Sequence, residues 1–311
     1  MPRNPYPARV NVPILVRAAE PGDIAAIAHV WAEAVPYLVR SAAAIEATMA
    51  DDGTVGRQRT VAVLDGQVFG TATSFLRPEG VGTIQLAVDP EHWGRGAGTA
   101  LYDDAMGSLD SQGARVVEGV ANDDPDSLAF VRERGFAGSG EHRISGVDPR
   151  TVDPVGPPPD GLEPIRCDRL PDTASLLATH NASAKDDPSG HSRVHTAAEF
   201  RSQWWDSPDN ASNLSWAMLH GGTVAAFTSV QVDRERGRAW SSMTATHPSY
   251  RGRGLATWVK RATLNSLADA GVTRAMTAND VQNAPMLAVN GRLGYQPIAT
   301  LYAVRRQSSS G

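Results

Sequence analysis

The sequence predicts an α/β (α+β) protein of two tandem domains of one kind, each a mixed, mostly antiparallel sheet flanked by helices. Three observations predict it. A glycine-rich motif occurs twice, as Asp89-Pro90-Glu91-His92-Trp93-Gly94-Arg95-Gly96-Ala97-Gly98-Thr99 and as His247-Pro248-Ser249-Tyr250-Arg251-Gly252-Arg253-Gly254-Leu255-Ala256-Thr257. The same order of strand-like and helix-like runs surrounds both copies. Between the copies, residues 147–164 carry six prolines, which suit neither helices nor central strands, so this stretch reads as a linker. The domains are therefore expected at 1–150 and 151–311.

In the first domain, Ile14–Arg17 reads as a strand. Pro21-Gly22-Asp23 opens a helix to about Ala34, and Ser41–Ala50 a second. Arg59–Leu64 and Gln67–Phe75 form a hairpin across Asp65-Gly66, a strong two-residue turn signal. Val81–Val88 is the strand before the motif. Gly96–Gln112 follows as a helix, with Ala97, Leu101, Ala105 and Leu109 four residues apart. Arg115–Val120 is a strand, and Asp126–Arg134 a helix stopped by Gly135.

The second domain repeats the order. Leu162–Arg166 is a strand and Asp172–His180 lies in a helix. Trp216–His220 and Thr223–Val232 form a hairpin across Gly221-Gly222. Arg238–Thr246 precedes the motif and Leu255–Asp269 is the helix after it. Thr273–Ala278 is a strand, Pro285–Leu293 a helix, and Gln296–Ala303 a closing strand, expected at an edge where it pairs with the other domain or with a second copy in a homodimer. Arg17 and Asp23 match Arg166 and Asp172 at an offset of 149, whereas Pro90 and Gly96 match Pro248 and Gly254 at 158. The second copy thus gains nine residues upstream of its motif strand, and the offset stays near constant beyond it.

The totals exclude several classes. A net charge of −5 argues against a nucleic-acid binder. No run of about 18 apolar residues suggests a membrane span. The start lacks the apolar core of a secretory signal. One cysteine, Cys167, excludes an internal disulfide and a cysteine-based zinc site, and reads as a structural thiol. A cytoplasmic protein without a bound metal is expected.

The motif has a physical purpose. Glycines let backbone approach phosphate oxygens with no Cβ in the way, and the helix that follows adds its positive dipole end. Arg251-Gly252-Arg253-Gly254-Leu255-Ala256 fits the pattern R/Q-x-x-G-x-G/A throughout, whereas the first copy has Trp93 in the first place. One such glycine pattern could be an ordinary turn before a helix. Two copies at matching offsets carry more weight.

The arrangement resembles the GCN5-related N-acetyltransferase (GNAT) family over both halves, from about Ile14 to Val147 and from Leu162 to Arg306, in the tandem form of mycothiol synthase and similar actinobacterial acetyltransferases. The stretch Thr277–Asn290 followed by Leu293-Gly294-Tyr295 is the most family-like. The resemblance implies acetyl-CoA, or another acyl-CoA, with the pyrophosphate-binding loops at Gly94–Thr99 (Gly94, Arg95, Gly96, Ala97, Gly98, Thr99) and at Gly252–Thr257, the latter with Arg251. It implies that the strand before each loop bulges, that Leu86-Ala87-Val88 and Thr244-Ala245-Thr246 pair with the pantetheine arm, and that Asn283, matched by Asp124 in the first half, contacts the same arm. Many family members place a Tyr acid four residues before the Gly-aromatic pair; here that position holds Val131 and Asn290. Asn290 can still donate a hydrogen bond to the sulfur, or serve as a packing residue. Ala245 or its neighbour offers the backbone N–H for the oxyanion. No base is evident: Asp280, Asn279 and His247 are candidates that read equally as turn or surface residues.

The expected activity is therefore acetyl transfer to the amine of a small molecule, with the second domain catalytic and the first only binding or supporting. Lys185-Asp186-Asp187-Pro188, His191, His195 and Trp204-Trp205 fall in the longer acceptor segment, where the acidic pair could attract a cationic amine or form a solvated turn. The alternative is a non-catalytic, regulatory acyl-CoA-binding protein.

Overall fold

The computed structural model describes residues 14–49, 56–77, 79–185 and 193–307. Contacts divide the chain into two compact units, one of residues 1–140 with 302–311, the other of 141–301. Both are mixed α/β, with mostly antiparallel strands flanked by helices.

The first unit runs β1 (Leu15–Ala18), α1 (Ile24–Ala34), α2 (Ala42–Met49), β2 (Gln58–Leu64), β3 (Gln67–Leu76), β4 (Val81–Val88), α3 (Ala97–Ser111), β5 (Val116–Asn122) and α4 (Pro125–Glu133). Its strands lie in the order β1-β2-β3-β4-β5. The β2–β3 turn has φ of 50° at Asp65 and 79° at Gly66, the left-handed pair that a twisted two-residue hairpin requires. Arg17 and Asp23 form a bidentate ion pair, at 2.6 and 2.9 Å, that joins β1 to the start of α1. The Arg17 guanidinium holds the Asp23 carboxyl below the usual range.

β6 (Ala137–Val147) follows α4, and from Glu141 onward it belongs to the second unit. That unit continues with β7 (Glu163–Arg166), α5 (Ala174–Ala184), α6 (Ala197–Phe200), β8 (Trp216–His220), β9 (Thr223–Asp233), β10 (Arg238–Thr246), α7 (Leu255–Asp269), β11 (Arg274–Asp280), α8 (Ala284–Arg292) and β12 (Gln296–Gln307). Its strands lie in the order β6-β11-β10-β9-β8-β7, with β6 antiparallel to β11 from Val147↔Ala275 to His142↔Asp280. β12 starts next to β6 in this unit, and its last residues, from Tyr302, belong to the first unit beside β5. Within the second unit the part of β12 up to Leu301 is the end strand of the sheet, beside β6, at the edge that the sequence reading expected.

The proline-rich stretch is docked on α7: Asn265 Oδ1 accepts from the Val155 N–H at 2.8 Å, and Trp258 Nε1 donates to the Gly156 carbonyl at 3.0 Å. The inner face of α7 buries Leu255, Val259, Ala262, Leu264 and Leu267, and Lys260 among them. Among the described residues no helix is long and apolar enough to cross a membrane.

Candidate active site

Both motif copies build the same loop. Asp89 accepts from the Glu91 N–H at 3.0 Å, and His247 Nδ1 from the Ser249 N–H at 3.3 Å, each capping a short 3-10 turn that starts with proline. Gly94 and Gly96 then have φ of 73° and 93°, Gly252 and Gly254 of 76° and 74°. That left-handed backbone turns the chain into the helix and is open to glycine at little cost. Gly96 and Gly254 cap α3 and α7 without a side-chain acceptor, so the first-turn N–H groups have no side-chain cap. A Cβ added at Gly252 or Gly254 would meet nothing within 4 Å among the described residues. Uncapped N–H groups at a helix N-terminus are the groups that anions bind in general.

The strands leading into the loops differ. β4 pairs with β3 in unbroken register from Leu76↔Gly82 to Gly70↔Val88. β10 pairs with β9 with a register shift between Ser241 and Met243, a bulge at Ser242. The hairpins β2–β3 and β8–β9 both carry a bulge, at Ala62/Val63 and Met218/Leu219, so the copies share that irregularity and differ only in the motif strand. A bulge re-aims a strand and its side chains. β10 and β11 pair in parallel only over Arg238–Trp240 and Arg274–Met276, and then part.

A cavity of about 190 Å³ lies in that opening. Its floor and walls are Ser241, Ser242, Met243, Thr244 and Ala245 of β10, Thr277, Ala278 and Asn279 of β11, Asn283 and Met286 at the start of α8, Lys260 of α7, and His180, Ser183 and Ala184 of α5. Ser242 Oγ is buried with no hydrogen-bond partner. Burial lowers the pKa of His180 and pushes that of Lys260 down to about 7. An open strand edge, a helix N-terminus and a polar cavity between them can hold an elongated, phosphate-bearing molecule with its reactive end inside.

The first copy is filled by its own side chains. Trp93 Nε1 donates to the Val88 carbonyl at 2.8 Å. Arg134 donates to Thr99 Oγ1 at 2.8 Å and stacks 3.5 Å from the Phe130 ring centroid. A Cβ at Gly98 would lie 3.3 Å from Phe130. Leu86, Ala87 and Val88 pack into the apolar core of this unit.

Of the residues read from sequence, the cavity brings together Thr244, Ala245, Asn279 and Asn283. Asn283 also caps α8, accepting from the Met286 N–H at 3.2 Å, as Asp124 caps α4 from Ser127 at 2.8 Å. Arg251 Nη2 reaches the Ser183 carbonyl at 3.4 Å, which ties the loop to α5, and Arg253 lies 5.4 Å over Tyr250. Thr246 lies on β10 outside the lining. Asp280 also lies outside it; its Oδ1 accepts from the Gln282 N–H at 2.7 Å. Asn290 is buried and donates through Nδ2 to Asn279 Oδ1 at 2.6 Å, so it reaches the cavity only through Asn279. Asp186, Asp187 and His191 lie outside the described residues. His195 packs 4.4 Å from the Trp204 ring, and Trp204 and Trp205 line the core around Cys167, whose thiol burial pushes up to about 12. Among the described residues no cluster of His, Cys, Asp or Glu could hold a metal ion.

Sequence reasoning missed Lys260, His180 and Ser241–Met243. Lys260 had a signal, a charged residue on the apolar stripe of α7. The resemblance implied a bulge in the strand before each loop; β10 has one, at Ser242, and β4 has none.

Two units of one fold, each with a glycine loop at a helix N-terminus beside a parting strand pair, define a tandem acyltransferase. The profile of the Acetyltransferase (GNAT) family matches residues 26–136 and 177–295, and the chain belongs to that family. It is 26% identical over 229 residues, 68% of this chain and 76% of the relative, to the Mycothiol acetyltransferase of Nocardioides sp. (strain ATCC BAA-499 / JS614). It is 36% identical over 83 residues, 24% of this chain and 43% of the relative, to the L-2,4-diaminobutyric acid acetyltransferase of Nocardia farcinica (strain IFM 10152). Its fold is similar to that of a tandem GNAT protein from the clavulanic acid biosynthesis pathway, with a TM-score of 0.75 at 19% identity over 96% of this chain and 100% of the other.

Proposed function

We propose that the second unit is the catalytic one, that acetyl-CoA is its acyl donor, and that the acceptor is the amine of a small molecule. The donor supplies, when bound, a thioester carbon open to attack. The residues present fit it. Gly252–Thr257 (Gly252, Arg253, Gly254, Leu255, Ala256, Thr257) and Arg251 offer backbone N–H groups and a guanidinium to a pyrophosphate, with nothing among the described residues within 4 Å of a Cβ added at Gly252 or Gly254. The β11-facing edge of β10 at Thr244–Thr246 offers backbone groups to an amide-bearing arm. A backbone N–H near Ala245 would hold the carbonyl oxygen where negative charge develops. Asn279, held by Asn290, and His180 present polar groups to the acceptor side of the cavity. The first unit, on this reading, supports the fold.

The observation that carries this reading is the bulge at Ser242 in β10, which β4 lacks. Two relatives named as acetyltransferases, one of them for L-2,4-diaminobutyric acid, support an amine acceptor. The test is thiol release from acetyl-CoA across a panel of small polar amines that includes L-2,4-diaminobutyric acid. Release that depends on the amine, with acetylated product, is expected. Acetyl-CoA binding without release against any amine would favour a non-catalytic acyl-CoA-binding protein instead.

A further inference from the structure

The chain carries 27 arginines and only two lysines, Lys185 and Lys260. Lys260 is 2% exposed, on the inward face of α7. With Ser241 it lines both the cleft between β10 and β11 and a small cavity of about 10 Å³ beneath β10, shared with Thr228, Thr263 and Tyr295. Its Nζ lies 5.0 Å over the Tyr295 ring. No carboxylate pairs with it among the described residues.

Packing alone does not account for a lysine here. The matching residue of the first repeat is Tyr102, which lies edge-on to Phe130 and Phe136 and has its hydroxyl bonded by Arg306. The second repeat puts an amine in that place, at a desolvation cost that an aromatic ring does not carry. Thr263 Oγ1 and Ser242 Oγ, in the same two cavities, are buried and unpartnered.

We infer that Lys260 is the proton carrier of the acyl-transfer site in the second unit, taking the proton of the acceptor amine and returning it to the leaving thiolate. This rests on the reading given under Proposed function. The acceptor nitrogen bonds to the thioester carbon and the C–S bond breaks. The nitrogen's proton goes to Lys260 Nζ and from there to the sulfur. The products are the amide and the free thiol, with no net change in protons. The step gives the site the acid that Asn290 cannot be.

Desolvation alone pushes the Lys260 amine down to about 7, where it exchanges protons near neutral pH. Such matching to the working pH is what a general acid–base group needs. The other titratable groups lining the two cavities are Tyr295, raised by burial and so a neutral phenol, and His180, lowered by burial. An arginine could not serve, since it does not lose its proton.

Two measurements test this. In trace labelling of the folded protein with acetic anhydride across pH 5–11, Lys260 reactivity should rise through a midpoint near 7. In turnover, K260M should lose about 100-fold or more in kcat together with the pH dependence near 7, and should bind acetyl-CoA within about twofold of wild type. K260R should not rescue it. A Lys260 labelling midpoint near the unperturbed lysine value of about 10.4, K260M turning over like wild type with the same pH profile, or rescue by K260R overturns the inference alone. A wild-type protein that binds acetyl-CoA but releases no thiol with any amine overturns the proposed function, and this inference with it.

Discussion

The indole N–H of Trp93 donates to the carbonyl of Val88 at 2.8 Å, so the first glycine motif closes on its own strand. In the second copy the same position holds Arg251, which reaches away to the Ser183 carbonyl of α5. The Val88 carbonyl is thus already bonded by the first motif's own indole. Arg134, bonded to Thr99 and stacked on Phe130, adds a second obstruction beside the first loop.

One acetyl-CoA should therefore bind per chain. Gly254→Glu and Gly96→Glu both put a side chain at positive φ, 74° and 93°, and should cost similar stability, about 1–2 kcal/mol. Only Gly254→Glu should abolish activity if, as proposed, only its loop receives the donor. Calorimetric titration and kcat/KM for both variants check this, and two sites per chain or equal loss of turnover would contradict it.

Asn290 and Asn279 separate positioning from contact. Asn290→Ala leaves Asn279 Oδ1 without its 2.6 Å donor inside the protein, which should cost about 1–3 kcal/mol in stability. Asn279→Ala removes a group from the cavity wall and should lower turnover with a smaller change in melting temperature. Thermal melts beside steady-state rates distinguish the two. A stable Asn290→Ala that has lost all turnover would put Asn290 itself at the reacting atoms.

Much of the fold was legible because the signals are local. β4, β8, β10 and α7 follow the periodicity of their own residues, and Asp65-Gly66 and the motif glycines require the backbone they adopt. What was not legible depends on pairing between distant segments. Nothing in Ala137–Val147 shows that β6 will run beside β11, and the residues of β4 and β10 do not show that only the second of the two strands will bulge. The cavity inherits that limit: Thr244, Ala245 and Asn283 could be placed by the motif, whereas His180 and Lys260 arrive from α5 and α7 through tertiary packing. Asp280 was misleading because strand alternation turns it away from the opening that Asn279 faces.

The His195 cluster predicts an acid-side weakness. His195 packs against Trp204 and His180, and burial first, then Arg193 and His180, push it down to about 4, opposed by Glu199. The unfolded chain has it near 6.5, so between about 6.5 and 4 the unfolded state binds more protons. Stability should fall as pH drops through that window. His195→Phe should flatten this slope in melts followed by tryptophan fluorescence, and an unchanged slope would clear His195 of the effect.

Lys260 gives the same linkage on the alkaline side. Its folded value of about 7 stands below an unfolded value near 10.4, so between them the unfolded state again binds more protons. Stability from this group should therefore rise with pH above about 7, by up to about 1.4 kcal/mol per pH unit. Cys167 works in the opposite sense above about 8.5, because burial raises its thiol to about 12 and the unfolded thiol ionises first. The clean measurement is the difference between wild type and Lys260→Met in urea denaturation, from which the Cys167 contribution cancels. Lys260→Met should be the more stable protein at pH 6.5, since a thioether of similar shape carries no desolvated charge. The gap should narrow as pH rises to 9. Parallel curves would mean that Lys260 keeps an ordinary lysine pKa and that its amine reaches water.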